Sequence, residues 1–509
     1  MAILSCIAVV IEYAETMLFP AIPNIIKDFK ITYDTSSWIL SGYLITAAVM
    51  APIAGKLSDM YGKKKVLLII MTIFIISIAA AGFSINISFL ILSRVIQGIG
   101  LSMFIIALSI LQSEVPKEKY ALANGILASL YFSGSSIGLI LGGGIVHYFD
   151  WRVTFFSLIP ILGIIYVVVV KVLKVEEQKK HAFGSKMIDS PSSDTDTADA
   201  SNNKEKDENS SSFLPKNKID IKGALALASG ITFLLIALTY LEIGESSRSV
   251  STSANFGIFL VLLVVSAISI ILFIRFEKTS TSPLIDLSLV TNRTILPVVI
   301  TFMIMGLTMF MVYQTVPVFV MAPSPIGFGG NALTSSIMLL PFTIIFLGLS
   351  PAVSKIIAKF GNLNPFIVAS LISFFGFLGI YIFHSNEIQI GVNLGVISVG
   401  LTLINTIAMN IILLLTPKQF GGVVIGVVQV FTFTGMALGP VISGLYMQSF
   451  QTTIPGKQGD LTFPSGQAYD FIFLTAAVAS FIFIILALVL KKSINQDLAK
   501  PSSVKSTSL

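Results

Sequence analysis

GILASLYFSGSSIGLILGG, residues 125–143, decides how the chain is read. Within this apolar stretch Gly125 is followed after eight residues by Gly134, after three more by Gly138, then by Leu139 and, two residues on, by Gly142 and Gly143. The ladder returns as Gly426, Gly435, Gly439, Pro440, Ser443 and Gly444, every rung displaced by 301 positions. A single spaced pair of glycines only lets a neighbouring membrane helix come close. Five small-residue rungs recurring at one offset point to two copies of one helical bundle, a construction common among membrane transporters.

The composition sets the solvent. Hydrophobic residues make up 54% of the 509 positions and charged residues 11%, against about 25% charged in soluble domains. A bilayer core about 30 Å thick takes about 20 apolar residues per helix. Windows of that length predict fourteen spans, near 2–26, 36–57, 66–84, 87–109, 121–147, 152–172, 222–243, 254–275, 294–321, 331–354, 364–384, 388–415, 421–449 and 470–490. The apolar run from Ala2 lacks a basic start and holds Glu12 and Glu15, so it reads as the first span rather than a cleaved signal. One cysteine, Cys6, and three histidines offer no disulfide and no metal cluster. No metal, no cofactor and no catalytic constellation is expected, and the chain reads as no enzyme.

The net charge of +6 is topological rather than a mark of nucleic-acid binding. With both ends in the cytoplasm, 26 of the 32 Lys and Arg fall inside, five fall outside (Lys27, Lys30, Arg152, Arg248 and Lys457), and Arg94 lies within a span. That is the positive-inside asymmetry of a multi-pass plasma-membrane protein.

Three charges lie deep in the apolar spans. Glu12 and Glu15 stand three apart, on neighbouring parts of one helix face, before Pro20 and Pro23 break the span. A carboxylate at membrane depth costs about 2.5–3.5 kcal/mol on insertion scales, so it faces a cavity or a partner rather than lipid. Glu12, nearer the inner end, is either solvated and structural or shares the work of Glu15. Arg94 opens Arg94-Val95-Ile96-Gln97-Gly98-Ile99-Gly100 and needs a counter-charge or water. Gly98 and Gly100 leave room for another helix or a ligand.

Between the second and third spans lies Gly55-Lys56-Leu57-Ser58-Asp59-Met60-Tyr61-Gly62-Lys63-Lys64-Lys65. Gly62 supplies the tight turn, and the lysines, Lys63 and Lys64 among them, mark the cytoplasmic side. Asp59 can grip a neighbouring helix N-terminus in one conformation and release it in another. Before it, Trp38 in Ser37-Trp38-Ile39-Leu40-Ser41-Gly42-Tyr43 reads as an interfacial anchor.

Taken in order, the Gly55–Lys65 loop, the Arg94–Gly100 stretch and the Gly125–Gly143 ladder resemble the signature motifs of the major facilitator superfamily. Fourteen spans, the Trp38–Tyr43 pattern and Asp150-Trp151-Arg152 with Pro160 resemble its 14-helix drug/proton antiporter branch. The resemblance implies an all-α polytopic membrane protein of the major facilitator fold: two six-helix bundles related by a pseudo-twofold, with two further helices between them. Three positions depart from the pattern: Leu139 replaces the usual proline, Glu15 sits one residue later than the usual Asp, and Ala358 replaces the loop Asp in the second copy.

The chain divides into an N-terminal bundle at 1–172, a disordered cytoplasmic linker at 173–221 rich in Ser, Asp, Asn and Lys, and two additional helices at 222–276. A connector at 277–293, a C-terminal bundle at 294–490 and a cytoplasmic tail at 491–509 complete it. An offset of 299 pairs Gly62 with Gly361 and Glu15 with Gln314, so the second copy holds an amide in place of a carboxylate. Gln97, Gln314, Asn405, Asn410 and Gln429 either line a substrate cavity or bond between helices.

The resemblance implies an expected function: secondary export of a hydrophobic or amphipathic small molecule in exchange for protons, by alternating access, in a monomer. Substrate and proton compete for Glu15, with Glu12 and Arg94 beside it. The two ladders are expected where the bundles meet, and the bundles rock about a midplane site. A proton-coupled symporter or a uniporter for a small nutrient shares the fold and stays open, as Leu139 allows.

Overall fold

The computed structural model describes residues 1–115, 117–173, 220–240, 251–280, 283–285, 287–416, 421–454 and 461–499. In chain order its long helices are α1 (Ala2–Phe29), α2 (Tyr33–Tyr61), α3 (Lys63–Gly82), α4 (Ile87–Glu114), α5 (Lys117–Tyr148), α6 (Trp151–Val172) and α7 (Ile221–Thr239). They continue as α8 (Ser251–Thr279), α9 (Ile295–Met321), α10 (Ala332–Phe360), α11 (Leu363–Ile382), α12 (Glu387–Leu415), α13 (Gly421–Ser449) and α14 (Gly466–Ala499). Thirteen of the described helices are long and apolar enough to cross a membrane. α5, 32 residues long, packs among them between α1 and α10.

Local chemistry sets the helix ends. α4, α10 and α12 each start on an asparagine, Asn86, Asn331 and Asn386, whose side chain accepts from a backbone N–H of the first turn. Asp150 and Asp220 do the same for α6 and α7. α2 and α10 both close on a glycine in the left-handed region, Gly62 at φ 95° and Gly361 at φ 73°. α1 is interrupted by a 3-10 turn at Phe19–Ala21, where Pro20 cannot donate, and α4 by one at Gly98–Ser102.

The packing obeys a pseudo-twofold. α1 lies on α5 as α9 lies on α13, α3 lies on α6 as α11 lies on α14, and α2 lies on α4 as α10 lies on α12. The two halves meet along two seams related by the same operation, α2 against α13 and α10 against α5. α7 lies against both α2 and α13, and α8 packs on α7 with most of its surface turned outward.

Three details differ from the sequence reading, and a fourth lies outside the described residues. α14 runs on to Ala499, through the first nine residues assigned to the tail, and the rest of that tail lies outside the described residues. The expected linker falls outside them at 174–219. The α13–α14 connection carries an antiparallel pair, β1 (Gln451–Ile454) and β2 (Leu461–Pro464), in an otherwise helical chain. Its β-branched and aromatic residues pair as Thr453 with Thr462 and Thr452 with Phe463, a combination that suits a pleated ribbon.

The register of the repeat also needs correcting. Gly134, Gly138 and Gly142 approach Val9, Tyr13 and Met17 of α1. Gly435 and Gly439 approach Met303 and Leu307 of α9, and the Ser443 hydroxyl donates to Met311 O at 3.5 Å. The first helices are therefore offset by 294. The offset of 299 holds for α2 and α10, where Gly444 meets Tyr33 and Ser37 as Gly143 meets Ala332 and Ser336. The difference is absorbed by the longer α9–α10 connection, residues 322–331 against 30–32. Glu15 is thus matched by Met309, not Gln314, and Glu12 by Gly306.

Candidate functional site

The ladder brings a second helix backbone onto α1. A Cβ on Gly134 would overlap Val9 O, one on Gly138 would overlap the Thr16 hydroxyl, and one on Gly142 would overlap Met17 O. With those side chains absent, Thr16 Oγ1 donates to Ser135 O of α5 at 3.1 Å. This corrects the expectation that the ladders lie wholly where the bundles meet. Gly134, Gly138 and Gly142 work inside the first bundle, and Gly435 and Gly439 inside the second. Only Gly143 and Gly444, one residue further round the helix, face across the seams. Gly426 has open space around it, the surroundings of Gly125 lie outside the described residues, and Pro440 sits within α13 without ending it.

Glu12 and Glu15 come to rest on the face of α1 that this packing closes, 4% and 2% exposed. Their carboxyls lie close to each other, and Tyr131 of α5 lies beside Glu12. Two buried carboxyls this close do not readily both ionise, so they can share one proton. Glu12 Oε2 has no hydrogen-bond partner. The Tyr131 ring lies 4.5 Å from that of Phe104.

Arg94 is fully buried on α4. Its Nε donates to Ile39 O of α2 at 3.2 Å and its Nη1 to Gln97 Oε1 at 3.0 Å, while the guanidinium lies 4.0 Å over the Tyr43 ring. Nη2 has no partner. No ion pair joins Arg94 to Glu12 or Glu15 among the described residues; Glu15, Arg94 and Tyr43 act on one another electrostatically at longer range. The room left by Gly98 and Gly100 is taken by helices, Gly98 against Tyr43 O of α2 and Gly100 against the Phe74 ring of α3. Planarity and two separate donors make this an arginine site. Arg94→Lys is expected to forfeit one charge-assisted hydrogen bond, about 1.5–3 kcal/mol, and to lower transport about tenfold. Substrate flux in proteoliposomes, with size-exclusion profiles as the folding control, checks it.

The bundles are joined at the Tyr33 end. Phe19 stacks on Tyr313 at 4.5 Å and meets Phe310 edge-on at 5.6 Å, and Tyr313 meets Phe342 at 5.5 Å. Ser41 donates to Ala437 O at 2.7 Å, Tyr33 N to Gln448 Oε1 at 3.3 Å, and Gln314 Nε2 to Ser36 Oγ at 3.4 Å. Phe19 is one helical turn beyond Glu15, so this aromatic plug closes directly over the carboxyl pair.

At the Gly62 end the lysines bond within their own bundle, Lys63 Nζ to Ser109 O at 2.7 Å and Lys64 Nζ to Val170 O at 2.8 Å, near the C-termini of α4 and α6. Asp59 interacts electrostatically with Lys63 and grips no helix N-terminus among the described residues. Gly55 makes only ordinary contact, its Cβ position 3.7 Å from Ile105.

The polar residues assigned to a cavity divide. Gln97 is fully buried and orients Arg94; Gln314 is fully buried and bonds across a seam; Asn410 donates to Asn362 at 2.8 Å beside the α10–α11 turn. All three hold protein to protein. Asn405 and Gln429 are half-buried, with no hydrogen bond among the described residues, so their amides are free for a solute. Tyr131, Phe19 and Tyr313 escaped the sequence reading, which held Tyr43 only as the end of the Trp38–Tyr43 pattern. Of these, only Tyr131, a polar residue inside the ladder helix, carried a usable signal.

Residues 4–440 match the family described as the Major Facilitator Superfamily. The chain is similar to Multidrug resistance protein 3 of Bacillus subtilis, 26% identical over 364 residues covering 71% of this chain, and it spans 61% of that relative's length. It is similar to the Tetracenomycin C resistance and export protein of Streptomyces glaucescens, 24% identical over 466 residues covering 88% of this chain and 76% of that one. A crystal structure of the nucleoside transporter NupG shares the fold, with a TM-score of 0.59 at 12% identity, covering 96% and 98% of the two chains. Two six-helix halves related by a pseudo-twofold, a paired glycine ladder and the family match converge on one conclusion: the chain belongs to the Major Facilitator Superfamily.

Proposed function

We propose that the chain exports an apolar or amphipathic small molecule in exchange for protons, by alternating access, and that it belongs to the drug/proton antiporter branch. The observation that carries this reading is the buried carboxyl pair Glu12–Glu15, set under the plug that joins the bundles and beside a fully buried arginine. A proton held between two carboxyls is released when an arriving solute reorganises either one, and the pair is reloaded when its opposite side opens. One elementary charge moving through 100 mV is worth about 2.3 kcal/mol, roughly fifty-fold accumulation. The names of two relatives, one for multidrug resistance and one for export of tetracenomycin C, support the export direction.

The lysine-rich Gly62 end is assigned to the cytoplasm. Joined at the Tyr33 end, the molecule is then in its inward-facing state. The second bundle, with Met309 and Gly306 where the first has its carboxyls, contributes shape and the amides of Asn405 and Gln429. Everted membrane vesicles test the reading. With the lumen acidified by respiration, adding a lipophilic substrate should alkalinise it, because protons leave as substrate enters. Substrate-induced acidification, or substrate flux without proton movement, would sink the antiport reading in favour of symport or uniport.

A further inference from the structure

α7 and α8 belong to neither copy of the bundle, and the transport cycle as described makes no use of them. Their ends at the Gly62 side nevertheless enclose a buried charge. Glu277, in the last turn of α8, is 4% exposed. One carboxyl oxygen accepts from Ile285 N, Leu284 N donates to the same side chain, and Oε2 has no hydrogen-bond partner. Glu277 thereby pins residues 283–285, whose Leu284 and Ile285 are themselves buried. The carbonyl this turn presents, Pro283 O, accepts from Lys56 Nζ of α2 at 3.5 Å. Asp220, the cap of α7, accepts from Gly223 N at 2.8 Å. Both carboxylates crowd Gly223, where a Cβ would stand 2.9 Å from Glu277 Oε2 and 3.2 Å from Asp220 Oδ2. Lys56 is the cation that interacts electrostatically with both acids.

Lys56 is the second residue of the Gly55–Lys65 loop stretch. α7 lies against α2 of one bundle and α13 of the other, so the clasp ties the Gly62 end of α2 to a strut that straddles a seam. We propose that Lys56 and Glu277 are positioning residues of the transport cycle: the inserted helices hold the α2–α3 loop in the place it takes here and so set the balance between the two facing states. This rests on the gating part of the proposed function, not on the proton part. Glu277 orients the turn, and the turn's carbonyl holds Lys56.

The test uses the full chain in proteoliposomes with Cys6 replaced by serine. Spin labels go on cysteines at Tyr61 and Phe360, both 57% exposed at the Gly62 ends of α2 and α10. Without substrate, Lys56→Met and Glu277→Gln should each raise the short-distance population at least roughly threefold, as loss of one hydrogen bond allows. Lys56→Arg should restore the parent distribution, a rescue that a merely structural role would not give. Unchanged distances in folded Lys56→Met would overturn the proposal, and because Lys56 is half-buried at a helix end, that variant decides it even if Glu277→Gln does not fold. Proton coupling in vesicles is read separately, so a failed clasp with intact antiport, or the reverse, is recognisable.

Discussion

Glu15→Gln should abolish substrate-driven proton movement in everted vesicles, a fall of roughly a hundredfold or more, the lower end of what a positioned proton-transfer group contributes. The variant should still fold. The amide matches the carboxyl in shape and can donate to Glu12, so the contact inside the pair survives. The bond from Thr16 to Ser135 O and the close approaches of Gly134, Gly138 and Gly142 do not involve the Glu15 side chain. What is lost is the capacity of this position to take up and give back a proton. Exchange of labelled for unlabelled substrate across the membrane, which needs no proton, should persist at a comparable rate. The two assays together separate a broken coupling from a broken protein, and wild-type coupling in the variant would place the proton site elsewhere.

The second large effect is steric. A Cβ on Gly435 would fall inside the van der Waals shell of Met303 O, a backbone atom that cannot swing away, whereas one on Gly426 of the same ladder would meet nothing within 4 Å. Gly435→Ala must push α13 off α9, at a cost of about 3 kcal/mol, the upper end for overpacking. Gly426→Ala should be neutral or slightly stabilising, since alanine favours the helix. Thermal unfolding of the two variants in detergent, followed by fluorescence-detected size exclusion, should show a clear loss for the first and parental behaviour for the second. Equal sensitivity at both positions would mean that the rungs act through helix flexibility rather than through contact.

Much of this arrangement was legible before any coordinates. Fourteen helices, the duplication and the burial of Glu15 and Arg94 follow from apolar length, the 301-residue ladder offset and the rarity of charge in the spans. The ladder was less informative about direction. Glycine spacing says that something comes close without saying which helix, so the approach of α5 to α1 and of α13 to α9 had to be seen. The mismatch of Glu15 with Gln314 arose because one offset was carried across the duplication from the Gly62–Gly361 pair. A five-residue change of offset taken up around a connecting loop is invisible when each helix is uniformly apolar, and it moves the comparison by more than a turn. Gln97 shows a different limit. Its i, i+3 relation to Arg94 was readable, but a polar side chain in a span answers equally well to a solute or to a neighbour, and here the neighbour holds it.

The flank position of α7 and α8 breaks the symmetry that the duplication built. The junction of α2 with α13 is roofed by α7, while no comparable pair of helices is described over its twin, α5 with α10. Among the described residues the two seams therefore differ in what borders them, a covered one at α2–α13 and a bare one at α5–α10, in a molecule whose packing is otherwise two of everything.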